Sequence, residues 1–343
     1  MEKNAYHIIT DTHFDYTDKE NRISYVNECL YVKRKIVERV NYTNSLGYNS
    51  YVLFLGDIYS KGYRSVEAAL AEFDFFTYLD KITKGIFTVY GNHEQSFPSG
   101  NPFYNLISNI PNDVTNLPHN RIKLLGITGL LKIRDRLVDG NVVFNFNHYG
   151  SRVLEPLLDK INIGLFHQNI TCGPAVASVG LRGLDQYETK SIKLEEHDVL
   201  FGYDYSFMGH FHKYYGKWMI DGKRYLYYLG SLNRPNYTEV SDDYLERTIP
   251  CVYVENGELT NVEDYKFNLM SEKECLKFDV IEKQKEKREK RKELMNIINL
   301  DICTEDLIDN VKLKFNSEIY NHIIDSVLLD VKDNFMEEIE RRF

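Results

Sequence analysis

Apolar residues fall along this chain in two rhythms. Short continuous runs at residues 6–9, 51–55, 86–90 and 161–166 have the length of strands covered on both faces. Between the first three runs, apolar residues recur every three or four positions: Ile23, Val26, Leu30, Ile36 and Val40, then Val66, Leu70, Phe73, Phe76 and Leu79. That spacing predicts two amphipathic helices. The resulting βαβαβ order predicts a parallel sheet with helices packed on its faces. Phe207-Met208 closes a further short strand.

The middle of the chain is less regular. Residues 122–131 and 141–146 read as strands on either side of an Asp139-Gly140 turn. Residues 173–193 are rich in glycine and polar side chains, as a surface loop would be. Asp221-Gly222 and Asn256-Gly257 each sit between strand-like runs and predict two hairpins. Composition shifts near Ser271. Residues 282–293 are a run of mixed charge, read as a solvated helix or a tether. Beyond it Tyr320, Ile324, Val327, Val331, Phe335 and Ile339 lie three or four apart, with Ile323 and Leu328 widening the stripe. This predicts an amphipathic helix whose apolar face packs on the chain itself or docks a partner.

Composition narrows the class. Of 343 residues, 43% are hydrophobic, enough for a substantial core, and 13% are aromatic, which excludes a disordered chain. The formal charge of -9 excludes a simple basic glove for nucleic acid. Nucleic-acid chemistry stays open, because bound divalent cations and a partner can supply positive charge. Cys29, Cys172, Cys251, Cys275 and Cys303 are odd in number and scattered, with no CxxC pair. They predict neither a disulfide framework nor a thiolate zinc site, and suit a reducing compartment. No leader-like segment opens the sequence and no apolar stretch is long enough to span a bilayer, so the expectation is a cytoplasmic protein with no membrane partner.

The chemistry lies where the strands stop. Five apolar runs each end in oxygen or nitrogen donors: Asp11-Thr12-His13, Gly56-Asp57, Gly91-Asn92-His93-Glu94, His167 and Gly209-His210-Phe211-His212. Open α/β sheets build sites at the carboxyl ends of their strands. Asp11 and His13 are one residue apart and project to the same side if the chain is extended; His210 and His212 repeat that spacing. Asp57 is the natural bridge between two cations, since a carboxylate has two oxygens. Asn92 offers an amide oxygen and His167 an imidazole. A donor set of O and N without sulfur suits two divalent ions, Mn²⁺ foremost, with Fe²⁺, Zn²⁺ or Mg²⁺ as alternatives. His93 is not needed as a ligand and is placed to protonate a leaving oxygen. Glu94 either orients it or is merely a neighbour. His7, His119, His148, His197 and His322 lack such context and read as structural or exposed.

Together these motifs resemble the calcineurin-like metallophosphoesterase superfamily over about residues 5–235. The resemblance implies an α/β fold: a two-sheet β-sandwich flanked by helices, with a small C-terminal α+β extension. It implies Asp11, His13, Asp57 and His212 on one ion, and Asp57, Asn92, His167 and His210 on the other. Gly56-Asp57 is followed by Ile58-Tyr59-Ser60-Lys61-Gly62, without the second Asp and the Arg of the superfamily's protein phosphatases. His167 is followed by Gln168-Asn169, without the proline of its cyclic-nucleotide phosphodiesterases. Gly164-Leu165-Phe166-His167-Gln168-Asn169 and Tyr228-Leu229-Gly230-Ser231 are similar to the double-strand-break-repair nucleases of the SbcD type found in bacteria and phages. That branch implies exonuclease and endonuclease cleavage of DNA phosphodiesters and an SbcC-type coiled-coil ATPase partner, with a homodimer as a further expectation. A phage origin would place the protein in the host cytoplasm. A small-substrate phosphodiesterase or phosphatase of the same fold is the alternative. Glu94 stands where Asp is usual, and the region after the core is short. The expected division is therefore a nuclease domain at 1–235, a small cap-like β segment at 236–275 and a helical partner-binding region at 276–343.

Overall fold

The computed structural model describes residues 2–14, 21–59, 66–95, 130–168, 170–171, 192–193, 202–212, 216–219, 223–236, 240, 245–283, 285–286 and 289. The chain divides into two compact units, residues 1–170 with 192–277, and residues 171–191 with 278–343. In the second unit, residues 278–283 are helical. The expected amphipathic helix around 320–339, the strand over 122–129 and the loop over 173–191 lie outside the described residues, as do His119, His197 and His322.

Two six-stranded sheets form the first unit. In one, β1 (Lys3–Ile9), β2 (Asn49–Phe54), β3 (Gly85–Thr88) and β4 (Lys132–Ile133) run parallel. In the other, β6 (Val142–Asn147), β7 (Ile161–Phe166), β10 (Tyr205–Met208) and β12 (Tyr225–Tyr228) run parallel, between antiparallel β5 (Arg136–Asp139) and β11 (Gly216–Met219). A two-stranded ribbon joins β8 (Ile170–Thr171) to β9 (Ile192–Lys193). The last strands, β13 (Glu246–Glu255) and β14 (Glu258–Asn268), form an antiparallel hairpin, and β13 pairs antiparallel with β1.

The period of two along each strand explains the layering. Tyr6, Ile8, Leu53, Leu55, Phe87 and Val89 of the first sheet pack with Phe144, Phe146, Ile163, Leu165, Phe207 and Tyr227 of the second. Alternate residues Ile9, Val52, Phe54 and Ile86 face helices α1 (Tyr25–Ser45) and α2 (Val66–Ile82), packing with Cys29, Val32, Ile36, Val40, Phe76 and Leu79. The first sheet is thus covered on both faces, which is why its strands are apolar without alternation. Two mixed sheets flanked by helices realise the expected α/β sandwich.

Two expectations are corrected. α1 starts at Ser24, whose Oγ accepts from the backbone N–H of Asn27 at 3.2 Å. Its inner face carries Glu28, Lys33 and Arg39, while Ile23 and Leu30 are 53% and 44% exposed. Hydrophobic spacing misplaces the face because charged residues on it are paired or stacked inside. Within the expected cap-like segment, β13 and β14 extend the first sheet through β1. Secondly, the strand before Asp139-Gly140 is β5 at Arg136–Asp139. That turn meets the Asn256-Gly257 turn of the other sheet, where the N–H of Asn141 donates to the carbonyl of Gly257 at 2.7 Å.

Candidate metal centre

Five strand ends from both sheets converge. β1 leads into Asp11 and His13, β2 into Asp57, and β3 into the single-turn helix α3 (Asn92–Gln95), which carries Asn92 and His93. From the second sheet, β7 leads into His167 and β10 into His210 and His212. The structure brings these residues into two groups whose ligand atoms lie within 4.8 Å of one another: Asp11, His13, Asp57 and His212, and Asp57, His167 and His210. Asp57 belongs to both. Asn92 joins the second group, its Oδ1 3.0 Å from Nε2 of His167 and 2.9 Å from Nδ1 of His210.

The donor atoms face one another in a way that favours a cation. Nδ1 of His167 lies 2.6 Å from the carbonyl oxygen of Leu55, so that nitrogen carries the hydrogen. Its Nε2 then faces Oδ1 of Asn92 and, at 3.4 Å, Oδ2 of Asp57. In the first group Nε2 of His13 is 2.9 Å from Nε2 of His212, 4.0 Å from Oδ1 of Asp11 and 3.9 Å from Oδ2 of Asp57. Ligands bound at about 2.0–2.2 Å in tetrahedral or octahedral geometry stand about 3.0–3.6 Å from their neighbours. The spacings seen here bracket that range. Asp11, His13, Asp57 and His167 are each at most 1% exposed, and unpaired charge at that depth would be costly. The residues fit two divalent cations.

Titration follows the same logic. Burial alone would push the Asp57 carboxyl up, but the imidazoles of His167, His13 and His93 outweigh it and hold the group well below the usual carboxylate range. Asp11 goes the other way, raised by burial and by the neighbouring Asp57 against the pull of His167 and His212. Burial, then the neighbouring His167, push His210 down to about 3. Its ring is therefore neutral at ordinary pH, as a metal-binding imidazole must be.

The backbone is bent to reach this geometry. Asp11, His13, Asp57 and His210 have φ of 43°, 43°, 48° and 78°, all left-handed. The expected same-side projection from an extended chain is therefore not how the paired ligands converge. Each loop instead turns back sharply, a strain that neighbours must hold. The N–H groups of His13 and Phe14 donate to the carbonyls of Asp57 and Ile58 at 2.9 and 2.8 Å. Tyr25 Oη donates to the His13 carbonyl at 2.8 Å, and the N–H of His210 donates to the Asp11 carboxylate at 3.0 Å. Thr10 Oγ1 also donates to that carboxylate. Two glycines make the close approach feasible. A Cβ on Gly56 would sit 2.8 Å from Nδ1 of His167, and one on Gly209 would sit 2.9 Å from Oδ2 of Asp11.

His93 stands beside the ligands. Its backbone N–H donates to Oδ1 of Asp57 at 2.9 Å, and its Nε2 is 3.7 Å from Oδ2 of the same carboxylate. Its side chain is 18% exposed, against 1% for Asp57. Tyr149, just past β6, is not legible in the sequence as part of the site; its ring lies 5.6 Å from that of His210 and 6.1 Å from that of His167. The signal for it is positional, since β6 is a parallel strand ending in the same crevice. Thr10, Tyr25 and Asn233 escape sequence reasoning too, being single polar residues without a motif. His7 and His148 are structural, His7 buried against Thr43 and His148 half-buried with its Nδ1 accepting from the N–H of Tyr90.

No curated protein sequence matches the chain. Among solved structures it is similar to a dimetal phosphatase from Danio rerio, at 13% identity and TM-score 0.41, covering 78% of this chain and 99% of that one. It is also similar to a 5'-nucleotidase precursor from Thermus thermophilus, at 13% identity and TM-score 0.34, covering 87% of this chain and 60% of that one. A phosphatase from Mycoplasma pneumoniae aligns at 10% identity and TM-score 0.36, over 80% and 95% of the two chains. The family description Calcineurin-like phosphoesterase matches residues 6–214, a stretch running from β1 through the last histidine pair. With the greater part of its length under that match, the chain belongs to the calcineurin-like phosphoesterase family.

Proposed function

We infer that the chain is a two-metal-dependent DNA nuclease, hydrolysing phosphodiester bonds in repair, recombination or degradation as the SbcD-type partner of a coiled-coil ATPase. The observation that carries the hydrolytic part is the sharing of Asp57 between the two ligand groups. Two bound divalent cations supply Lewis-acid charge for the phosphoryl oxygens and a nucleophile at neutral pH. The protein supplies the rest. Asp57 would offer its one carboxylate to both coordination positions. Asn92, His167 and His210 would hold one cation, and Asp11, His13 and His212 the other. His93 reaches the substrate side and gives its Nε2 proton to the departing sugar oxygen.

The DNA assignment rests on sequence likeness at Gly164-Leu165-Phe166-His167-Gln168-Asn169 and Tyr228-Leu229-Gly230-Ser231. Gln168 itself has a structural role at the strand end, its Nε2 donating to the carbonyls of His148 and Ser151 at 3.0 and 3.1 Å. The formal charge of -9 means weak DNA binding by the chain alone. Arg136 is engaged with Asn145, and Arg134 stacks 4.8 Å over Phe87, so neither is a free DNA contact. The ATPase partner, docked on the helical region at 276–343, is proposed to supply affinity and processivity. Mn²⁺ is the proposed native ion.

The test is digestion of end-labelled linear duplex with Mn²⁺, with and without the ATPase, beside bis-p-nitrophenyl phosphate and p-nitrophenyl phosphate. Duplex cleavage that rises with the partner supports the nuclease. Turnover of the small esters with intact duplex would replace it by the small-substrate phosphodiesterase or phosphatase reading.

A further inference from the structure

Behind the first ligand group lies a buried ionic cluster that the hydrolytic mechanism does not use. Glu28 on α1 accepts from Nη2 of Arg22 at 2.6 Å and from Nη2 and the backbone N–H of Arg234 at 3.0 and 2.9 Å. Arg22, Glu28 and Arg234 are each no more than 2% exposed. Burial alone would push the Glu28 carboxyl up; Arg234 and Arg22 outweigh it and lower it. Nη1 of Arg22 donates to the carbonyl of Arg234 at 2.7 Å, and Nη2 of Arg234 donates to the carbonyl of Met270 at 2.6 Å. Such a cluster has no clear advantage in stability over apolar packing, so its worth lies in fixing geometry.

The geometry it fixes is the loop of Asp11 and His13. Arg234 follows Ser231-Leu232-Asn233. Ser231 Oγ donates to the carbonyl of Asp11 at 2.7 Å, and Asn233 Nδ2 donates to the carbonyl of Thr12. The N–H of Ser231 donates to the carbonyl of His212 at 2.9 Å. On the other side Arg22 lies 5.2 Å over the ring of Tyr25, whose Oη holds the carbonyl of His13. Every backbone carbonyl from Asp11 to His13, and that of His212, is therefore held by a residue in the segment that Glu28 and its two arginines pin. His167 is held apart from that segment, by the carbonyl of Leu55, whereas Asp57 and His210 meet it only through the Asp11–His13 loop, at the N–H of His13 and the carboxylate of Asp11.

We propose that Glu28, through Arg22 and Arg234, is a positioning residue for one of the two cation sites, the one formed by Asp11, His13 and His212. This rests on the two-cation reading of the centre. The left-handed backbone at Asp11 and His13 does not hold itself; its N–H groups are held by Asp57 and Ile58, and its carbonyls by residues this cluster pins. It also ties that site to Met270 and Cys275, since Cys275 Sγ lies 3.3 Å from Oε2 of Glu28. The two cation positions are thus not equivalent: the one with Asp11, His13 and His212 leans on this cluster directly, the one with His167 and His210 only through the Asp11–His13 loop.

Mn²⁺ binding to the full chain tests this, by calorimetry and by the electron paramagnetic resonance signal of a coupled Mn²⁺ pair. Tyr25→Phe and Glu28→Gln are each expected to weaken one of two Mn²⁺ by about 10–100-fold and leave the other within about threefold. The coupled signal should give way to that of a single ion at limiting Mn²⁺. Tyr253→Phe, which breaks a polar network at Arg39 and Glu263 instead, serves as the comparison. Should Glu28→Gln fail to fold, Tyr25→Phe decides, because it removes one oxygen and little volume. Folded variants that take up both ions with unchanged affinity would overturn the proposal, as would equal weakening of one site in Tyr253→Phe. Fewer than two Mn²⁺ on the wild-type chain would overturn the two-cation reading itself.

Discussion

Nε2 of His167 stands 3.4 Å from Oδ2 of Asp57 while the opposite nitrogen of the same ring is bound to the carbonyl of Leu55 at 2.6 Å. The carbonyl settles the tautomer, because it can only accept. A neutral ring therefore turns a lone pair toward a carboxylate and toward Oδ1 of Asn92, and a positive charge is needed between them. A proton on Nε2 or a divalent cation can serve, and the two compete. Mn²⁺ affinity is expected to fall as pH falls, with net proton release on uptake. Calorimetry in buffers of different ionisation enthalpy measures the released protons; a value of zero at about pH 6 contradicts this account of the centre.

Asp57→Asn keeps the shape of the shared ligand and removes its charge. Both ligand groups contain Asp57, so both cations are expected to weaken, by more than the 10–100-fold typical of an outer partner. Hydrolysis should fall with them. A variant that loses one ion and keeps the other at wild-type affinity would show that Asp57 is not shared.

His93 separates chemistry from metal binding. Its side chain touches Asp57 from the more exposed side and completes neither ligand group. His93→Ala is expected to lower turnover by about 10²–10⁴-fold, the usual worth of a general acid, with Mn²⁺ stoichiometry unchanged. A substrate with a better leaving group should recover much of the loss. Wild-type rates on duplex DNA would remove His93 from the mechanism.

The glycines can be tested against an internal control. A Cβ at Gly56 meets the backbone N of Gly91 at 2.7 Å, and one at Gly209 meets Oγ1 of Thr10 at 2.6 Å. Gly47, at the end of α1, has φ of 84° but nothing within 4 Å of its Cβ position. Gly47→Ala should show backbone strain alone, while Gly56→Ala adds crowding to a similar φ. Gly56→Ala and Gly209→Ala are expected to cost about 1–3 kcal/mol by urea unfolding and to weaken Mn²⁺ binding. Gly47→Ala should leave Mn²⁺ binding unchanged, and equal effects at all three positions would defeat the crowding argument.

Strand ends are the legible part of this protein. β1, β2, β3, β7 and β10 announce themselves because both faces of each are buried and a cluster of donors breaks each apolar run. What sequence spacing misses is whatever depends on distant pairing. The Asn256-Gly257 hairpin is readable, but β13 adds to β1 across more than two hundred residues, a pairing that no local signal announces. The inner face of α1 is misread because Glu28 looks like a solvent residue until Arg22 and Arg234 are seen around it. The left-handed turns at Asp11 and His13 are invisible too, since nothing in Asp-Thr-His demands them.

Two histidines outside the centre make stability depend on pH. His7 is buried with Thr43 at 3.0 Å, and burial together with Arg39 pushes it down to about 3. Burial pushes His148 down to about 4 against the pull of Asp135, and its Nδ1 accepts from the N–H of Tyr90 at 3.0 Å. In the unfolded chain both titrate near the ordinary value of about 6.5. Below that pH the unfolded chain binds a proton at each site and the folded chain does not, so stability falls as pH falls. From about pH 6.5 to about pH 5 each histidine is expected to withdraw about 2 kcal/mol. A glutamine in place of His148 can still accept from Tyr90 but cannot titrate. In EDTA, to keep metal binding out of the comparison, His148→Gln should lower the slope of unfolding free energy against pH by about 1.4 kcal/mol per unit between about pH 6 and about pH 5. Urea unfolding across that window measures the slope, and the same slope in wild type and variant would mean that His148 already carries its proton in the fold.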